Sequence, residues 1–107
     1  MALGINMIDL DLVEKYLKCK DFDGLSSFLD EIEESNLSNG SIYFYRTLID
    51  LKISSFNELI DKELEAFTSL NFHKALKYMN EDAVKAYNII QNHAIAKDYF
   101  LKLQFVL

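Results

Sequence analysis

Apolar residues recur at intervals of three or four along most of the chain, which is the spacing that places them on one face of an α-helix. Residues 7–20 contain such a stripe, formed by Ile8, Leu12, Val13, Tyr16 and Leu17. After a short turn, in which Asp21 or Asp23 is a suitable N-cap, a second stripe follows at Leu25, Phe28, Leu29 and Ile32. The two stripes predict a helical hairpin at the start of the chain.

The middle of the chain predicts a helix that is covered on two sides. A loop is expected at residues 36–40, and residues 41–53 then carry two apolar stripes. One stripe consists of Ile42, Tyr45, Ile49 and Ile53, and the other of Phe44, Leu48 and Leu51. Because a helix that is apolar on both sides is buried between other elements, we expect this one at the centre of the fold.

Three further helices are predicted from their N-terminal caps. Ser55 and Glu58 form the sequence S-x-x-E of a capping box, and the helix that they open has the inner residues Phe56, Leu59, Ile60, Leu64 and Phe67. Asn71 is a suitable cap for a short helix carrying Phe72, Ala75, Leu76 and Met79, and Asn80 for a last helix over residues 81–105. The prediction is an all-α fold, a compact bundle of five to six helices arranged as stacked antiparallel helical hairpins.

Length and composition fit one helical domain over residues 1–107. The chain has no proline and three glycines, half of its residues are apolar, and its single cysteine, Cys19, excludes a disulfide scaffold. The longest uncharged stretches, residues 35–45 and 86–96, are about half as long as a membrane span. The first 14 residues contain no lysine or arginine, so no secretory signal is indicated. We therefore expect a soluble, cytoplasmic protein.

Acidic residues are concentrated at the start of the chain. The formal net charge is −6, with nine acidic and three basic residues among the first 40 and eight of each in the remainder. Four carboxylates fall at the predicted end of the second helix, where the helix dipole disfavours negative charge by about 0.3–1 kcal/mol. They are Asp30, Glu31, Glu33 and Glu34, and the next basic residue is Arg46. Because carboxylates at the C-terminal end of a helix are unfavourable, these residues have two interpretations. They form a binding surface for a partner, or they form a solvated surface, which is the simpler interpretation.

The charge distribution also limits the class of partner. A concentrated acidic patch repels nucleic acids and anionic membranes and attracts basic proteins. The chain has ten lysines but one arginine, the residue that typically recognises phosphate or guanine. We therefore expect a basic protein partner, and neither nucleic acid nor a membrane. The residues assigned to the partner-binding surface are Asp21, Asp23, Asp30, Glu31, Glu33, Glu34 and Tyr43, the last as an exposed aromatic anchor.

No motif for catalysis, a cofactor or a metal is present. His73 and His93 lie 20 residues apart and Cys19 is alone, so no zinc-binding spacing exists. The sequence after Asp21 lacks the ligand series of a calcium loop, and no phosphate-binding glycine loop or nucleophile elbow occurs. We assign no catalytic, cofactor-binding or metal-binding residue. An enzyme that assembles Cys19, Glu63 or the histidines by folding is the alternative from another class.

Two polar residues have simpler structural interpretations. Glu63 falls within the apolar face of the predicted fourth helix, where a carboxylate requires a partner or a position at an edge. Arg46 on the neighbouring helix is the expected partner. Cys19 is expected to be a small packing residue.

Residues 12–37 resemble one tetratricopeptide-type helical hairpin. The positions that carry the resemblance are Leu12, Tyr16, the turn at residues 20–23, Leu25, Leu29 and Ile32. Val13 and Leu25, however, occupy positions where that family has small residues, and Glu63 is the counterpart of Leu29 in the next unit. Because an array needs at least three units, we expect stacked hairpins rather than a peptide-binding repeat array.

In its size, acidity, helicity and lack of catalytic motifs, the chain resembles the small immunity proteins that neutralise bacterial toxins, including those of contact-dependent inhibition systems. The resemblance lies in overall character and extends to no particular residue. It implies a toxin partner, often a nuclease, whose basic substrate groove is blocked by carboxylates in place of phosphates. The alternative among binding proteins is a phage or bacterial regulator or adaptor that takes a partner helix in a groove between helices.

Overall fold

A computed structural model describes residues 9–33 and 40–93, which form helices joined by short turns, without a β-strand in these ranges. The helices of the described residues are α1 (Leu10–Lys18), α2 (Phe22–Glu33), α3 (Gly40–Leu51), α4 (Phe56–Lys62), α5 (Leu64–Thr68), α6 (Leu70–Lys77) and α7 (Glu81–Gln91). The all-α prediction is confirmed. The described part has more helices than predicted because one expected helix is divided.

The central helix is α3, as its two apolar stripes predict. It packs against α2, α5 and α6. Phe44 and Leu48 are buried, and the hydroxyl of the buried Thr47 donates a hydrogen bond of 2.8 Å to the carbonyl oxygen of Tyr43. The core around α3 also contains Leu25 and Leu29 from α2, so the predicted inner stripe of the second helix lies where it was expected.

Gly40 allows the first turn of α3 to approach the turn between α6 and α7. A Cβ atom at this position would lie 3.0 Å from the Cβ of Asn80 and 3.2 Å from the carbonyl oxygen of Tyr78. Gly40 is thus already part of α3, whereas the rest of the predicted loop, residues 36–39, lies outside the described residues.

Three helices end in the same backbone motif. After α1, Lys20 donates its N–H to the carbonyl of Leu17 at 3.0 Å, and Asp21 donates to that of Tyr16 at 2.9 Å, which is the Schellman pattern. The same pair of bonds closes α3 and α6. The residues with positive φ in these motifs are Lys20 (56°), Lys52 (58°) and Met79 (60°). None is glycine, although an L-residue in this conformation costs about 1–2 kcal/mol.

Most N-caps agree with the sequence prediction. Asn80 accepts the N–H of Ala83 and caps α7, and of the two suitable residues before α2 it is Asp21 whose carboxylate accepts a backbone N–H, that of Gly24 at 2.9 Å. In the capping box, Ser55 accepts the N–H of Glu58, while the carboxylate of Glu58 accepts the N–H of Ser54, at 2.7 Å, rather than that of Ser55.

The prediction for Asn71 is wrong. Ser69 caps α6 by accepting the N–H of Phe72, and the amide of Asn71 instead donates to the carboxylate of Asp50 at 2.7 Å. The helix therefore begins two residues earlier than it would with Asn71 as its cap. The hydroxyl of Ser69 accepts the backbone N–H in place of the Asn71 side chain, and Asn71 instead joins α6 to the end of α3.

The predicted fourth helix is divided at Glu63. The backbone of this residue has φ 43° and ψ −100°, a combination that an α-helix cannot contain. The break directs α4 against α7 and α5 against α6. Leu59 and Phe67, on either side of it, are both buried, so the apolar pattern was correct although the helix is not continuous.

The first and the last described helices are both shorter than predicted. Helix α1 begins at Leu10, capped by Asp9, and α7 ends at Gln91, whereas the sequence predicted helices over residues 7–20 and 81–105. Residues 1–8 and 94–107 lie outside the described residues. No helix within the described ranges has both the length and the apolar character to cross a membrane.

Candidate protein-binding surface

Contacts between the helices fix their relative directions. Asp30 of α2 lies 2.5 Å from Arg46 of α3, and Lys52 after α3 covers the ring of Phe22 at the start of α2, so α2 and α3 are antiparallel. Gly40 faces the turn that follows α6, while Asn71 near the start of α6 reaches the end of α3, so these two are antiparallel as well. Leu10, Gly40 and Glu81, the first residues of α1, α3 and α7, line one groove together with Met79 after α6, so the starts of these three helices are close together.

These directions bring the starts of α1, α3 and α7 and the ends of α2 and α6 to the same end of the bundle. We call this the acidic end, because six exposed carboxylates of the described residues lie on it. They are Asp9 and Asp11 at the start of α1, Asp30 and Glu31 of α2, and Glu81 and Asp82 of α7. The lysines toward the end of α6, Lys74 and Lys77, extend over the rings of Tyr43 and Tyr78.

The predicted partner-binding residues are divided between the two ends of the bundle. Asp30 and Glu31 are exposed at the acidic end, whereas Asp21 and Asp23 are exposed at the opposite end. The two pairs are separated by most of the length of α2, which is roughly 18 Å. Asp21 has a structural role there as the cap of α2. Of the remaining two carboxylates, the side chain of Glu33 and the whole of Glu34 lie outside the described residues.

The predicted ion pair between Arg46 and Glu63 is wrong. Arg46 instead lies 2.5 Å from Asp30, on the helix to the other side of α3. The cation therefore compensates a carboxylate near the C-terminal end of α2, where the helix dipole is unfavourable for it. Sequence spacing could not identify the partner of Arg46. The helix before α3 and the helix after it each carry a candidate carboxylate, Asp30 and Glu63, and the spacing does not show which of the two faces Arg46.

The prediction that Tyr43 reaches the surface is also wrong. Its side chain is only 8% exposed and stacks on Tyr78, with 5.6 Å between the ring centroids. Tyr45, two residues later, is half-buried and keeps part of its side chain accessible. Apolar spacing had assigned Tyr45 to a buried stripe.

Tyr45 lines an open groove of about 370 Å³ at the acidic end, which we call the end groove. Leu10 of α1, Tyr78 and Met79 after α6, and Glu81 and Asp82 in the first turn of α7 also line it. Leu10 is 57% exposed and Met79 is 76% exposed. The sequence analysis missed both as site residues, since it placed Met79 in a buried stripe and did not consider Leu10.

The end groove is electrostatically negative. The pKa of the Tyr45 phenol is raised above its ordinary value, first by burial and then by the carboxylates of Asp82 and Glu14. Asp82 belongs to α7 and lines the groove, and Glu14 belongs to α1. A site of this character disfavours an anionic ligand and attracts a cation.

Folding also brings together two residues that the sequence analysis considered separately. Nδ1 of His93, after α7, lies 2.6 Å from Oε1 of Glu63. The other histidine, His73, has its Nε2 atom 2.5 Å from the carbonyl oxygen of Phe67. Cys19 is exposed at the end of α1, so the expectation that it packs inside the fold is wrong.

No three histidine, cysteine, aspartate or glutamate side chains among residues 9–33 and 40–93 converge to hold a metal ion. The Glu63–His93 pair joins the residues after α7 to the break between α4 and α5. A carboxylate that holds one nitrogen of an imidazole orients the other, as in many catalytic sites. Orientation of one base is not sufficient for a reaction, because a site also needs a substrate pocket and a reacting group in reach.

Comparisons with protein-family models, with curated proteins and with solved structures find no match to this chain.

Proposed function

We propose that this protein is a non-enzymatic inhibitor that binds another protein, and that it acts as an immunity protein toward a cognate bacterial toxin. In this proposal, carboxylates at the acidic end occupy the basic active-site cleft of the toxin, which is a nuclease. They occupy the positions that the phosphates of its substrate would take.

One observation carries the proposal. Carboxylates from three helices that are separate in sequence are exposed together at the acidic end. A field of this kind accelerates the encounter with a basic partner and repels competing anions, the nuclease's own substrate included. Asp30 and Glu31 are central to the proposal because both are exposed near the end of α2, where Asp30 also pairs with Arg46.

Growth rescue tests the proposal directly. The C-terminal domain encoded by the gene immediately upstream is induced in a bacterium with and without this protein. We expect the domain to arrest growth and the protein to restore it. A domain that is harmless, or that kills in the presence of this protein, would contradict the immunity function.

Two double variants test the role of the acidic end. Asp30→Asn with Glu31→Gln removes two negative charges from it, and Asp61→Asn with Glu65→Gln removes two from α4 and α5. The variants are matched, because each changes the net charge equally and each removes one carboxylate from an ion pair, Asp30 with Arg46 and Glu65 with Lys62. We expect the first to weaken toxin binding by about tenfold or more, and the second to leave it nearly unchanged. Equal effects would show that only total charge matters.

The end groove favours a second candidate function, a regulator or adaptor that takes a partner helix. Its accessible apolar residues, Leu10 and Met79, are of the kind that contact an amphipathic helix. Ionic strength separates the two candidates. Association through the acidic end should slow steeply as salt is raised, whereas apolar docking should not.

Glu63→Gln distinguishes the two binding functions, inhibitor and adaptor, from an enzymatic function. It should leave inhibition by a binding surface intact, and it should abolish a reaction that depends on the Glu63–His93 pair.

A further inference from the structure

We propose that the end groove is the anchoring site for a basic amphipathic segment of the partner protein. One apolar side chain of that segment inserts between Leu10 and Met79, and its lysines or arginines face Glu81 and Asp82. The inference rests on the proposed function and deepens it, since it assigns the contact to a particular surface and the partner to a particular chemistry.

Two large apolar side chains are exposed in the end groove. Leu10 and Met79 are exposed by 57% and 76%, and they line the same groove although they are far apart in sequence. Tyr45 and Tyr78 add aromatic surface to the groove between them. Tyrosine and methionine are enriched in protein interfaces, where a large apolar side chain in a pocket supplies much of the binding energy.

The end groove also carries negative charge. Glu81 and Asp82 are exposed in the first turn of α7, and Asp82 and Glu14 both act on the Tyr45 phenol inside the groove. Lys74 and Lys77, toward the end of α6, lie over the rings of Tyr43 and Tyr78. An apolar groove with an acidic rim is complementary to a segment that combines apolar and basic residues, and it is unfavourable for an acidic one.

The walls of the groove are held in place before any partner binds. The amide of Asn80 donates to the hydroxyl of Ser41 at 3.2 Å, and its carbonyl oxygen accepts the N–H of Ala83 at 2.8 Å. Gly40 lies against the same turn, and the Schellman bonds fix Met79 at its tip. A preformed groove reduces the ordering cost of binding. At about 370 Å³ and open to solvent, it fits side chains of a helix better than an enclosed cofactor.

The test uses a defined probe, a synthetic amphipathic helical peptide of about 14 residues made of leucine and lysine. A peptide with glutamate in place of lysine, and one with serine in place of leucine, are the controls. Binding to the full-length protein is measured by calorimetry and mapped by amide chemical shifts. We expect the leucine–lysine peptide to bind and to shift the resonances of residues 40–45 and 78–82, and we expect both control peptides to bind at least tenfold more weakly.

Three variants locate the binding. Leu10→Gln and Met79→Asn remove the apolar contacts, and asparagine tolerates the positive φ of residue 79. The matched control is Leu70→Gln, because Leu70 is 75% exposed and, like Leu10, is the first residue of a helix, but lies at the opposite end of α3. We expect the combined Leu10→Gln and Met79→Asn variant to lose about tenfold or more in peptide affinity, and Leu70→Gln to lose little.

Several results would overturn the inference. The first is an equal loss of peptide affinity in the groove variant and in the control variant. The second is a set of amide chemical-shift changes spread over all acidic residues. The third is a change of the groove resonances when the protein alone is diluted, which would indicate a second copy as the occupant. The same variants enter the rescue assay. If they rescue fully while Asp30→Asn with Glu31→Gln does not, the groove is not the anchor and the proposed function still stands. If the toxin domain is never neutralised but the peptide maps to the groove, the proposed function fails and the groove remains a binding site for basic amphipathic segments.

Discussion

Nδ1 of His93 lies 2.6 Å from Oε1 of Glu63, and this contact joins the end of α7 to the break between α4 and α5. Glu63 has a positive φ of 43°, a backbone conformation that is unfavourable for a residue with a side chain. Such a conformation costs about 1–3 kcal/mol and persists when surrounding contacts hold it. The hydrogen bond to His93 is one such contact.

The first prediction concerns the strength of this contact. In a double-mutant cycle of Glu63→Ala and His93→Ala, we expect a coupling free energy of about 0.5–1.5 kcal/mol in urea unfolding, as for a partly buried hydrogen bond. The control is the exposed pair Lys62–Glu65, which is separated by 3.9 Å and should show at most about 0.5 kcal/mol. A coupling no larger than that of the control would mean that other contacts hold the break.

A second prediction follows from the positive φ of Lys20. Glycine has no side chain to clash in this conformation, so Lys20→Gly should raise the free energy of unfolding by about 0.5–1 kcal/mol. Lys15→Gly, in the interior of the same helix, changes the charge equally but should lower stability by about 1 kcal/mol. Urea unfolding of the two variants checks the opposite signs. Two losses would argue against the Schellman ending of α1.

The third prediction concerns acid stability. The backbone N–H and then the hydroxyl of Ser54 lower the pKa of Glu58 below its ordinary value. The stabilisation by this carboxylate is therefore complete above the pKa of the unfolded chain, at about 4.3, and is lost as the pH falls through the lower pKa of the folded protein.

Glu58→Gln should accordingly be less stable than the natural protein at neutral pH, and the difference should shrink at an acidic pH below the lowered pKa of Glu58 in the folded protein. Urea midpoints at the two pH values provide the measurement, with Glu65→Gln as a variant of equal charge change. A difference that is independent of pH would indicate that the loss comes from the capping geometry alone.

The fourth prediction concerns the charge of the end groove. Glu14→Gln and Asp82→Asn should each lower the pKa of Tyr45 toward its ordinary value, but only in part, because burial is the largest cause of the increase. A raised pKa stabilises the fold below the pKa of the unfolded chain, near 10, and this contribution is lost as the pH rises through the folded value.

NMR titration of tyrosine labelled at Cζ measures this pKa for Tyr45 individually. Asp61→Asn on α4 serves as the comparison for a change of net charge alone, and it should have a smaller effect. If all three variants shift Tyr45 equally, the two carboxylates do not act locally and the negative potential of the groove is a property of the whole protein.

The sequence by itself determined the all-α class, the central position of α3, the caps at Ser55 and Asn80 and the excess of acid in the first 40 residues. These features depend on spacing along one helix, on a residue and its neighbours a few positions away, or on composition. Such local relationships are present in the chain before it folds.

Tertiary structure alone decided which tyrosine is accessible, which carboxylate pairs with Arg46 and where the predicted fourth helix breaks. Tyr43 is buried because Tyr78, from a distant helix, stacks on it, and Tyr45 is left beside the end groove. Leu10 and Met79 likewise become neighbours only when α1 and the turn after α6 reach the same end of the bundle. Periodicity shows which face of a helix is apolar, but not which helix covers it or how completely, because those outcomes depend on contacts between residues far apart in sequence.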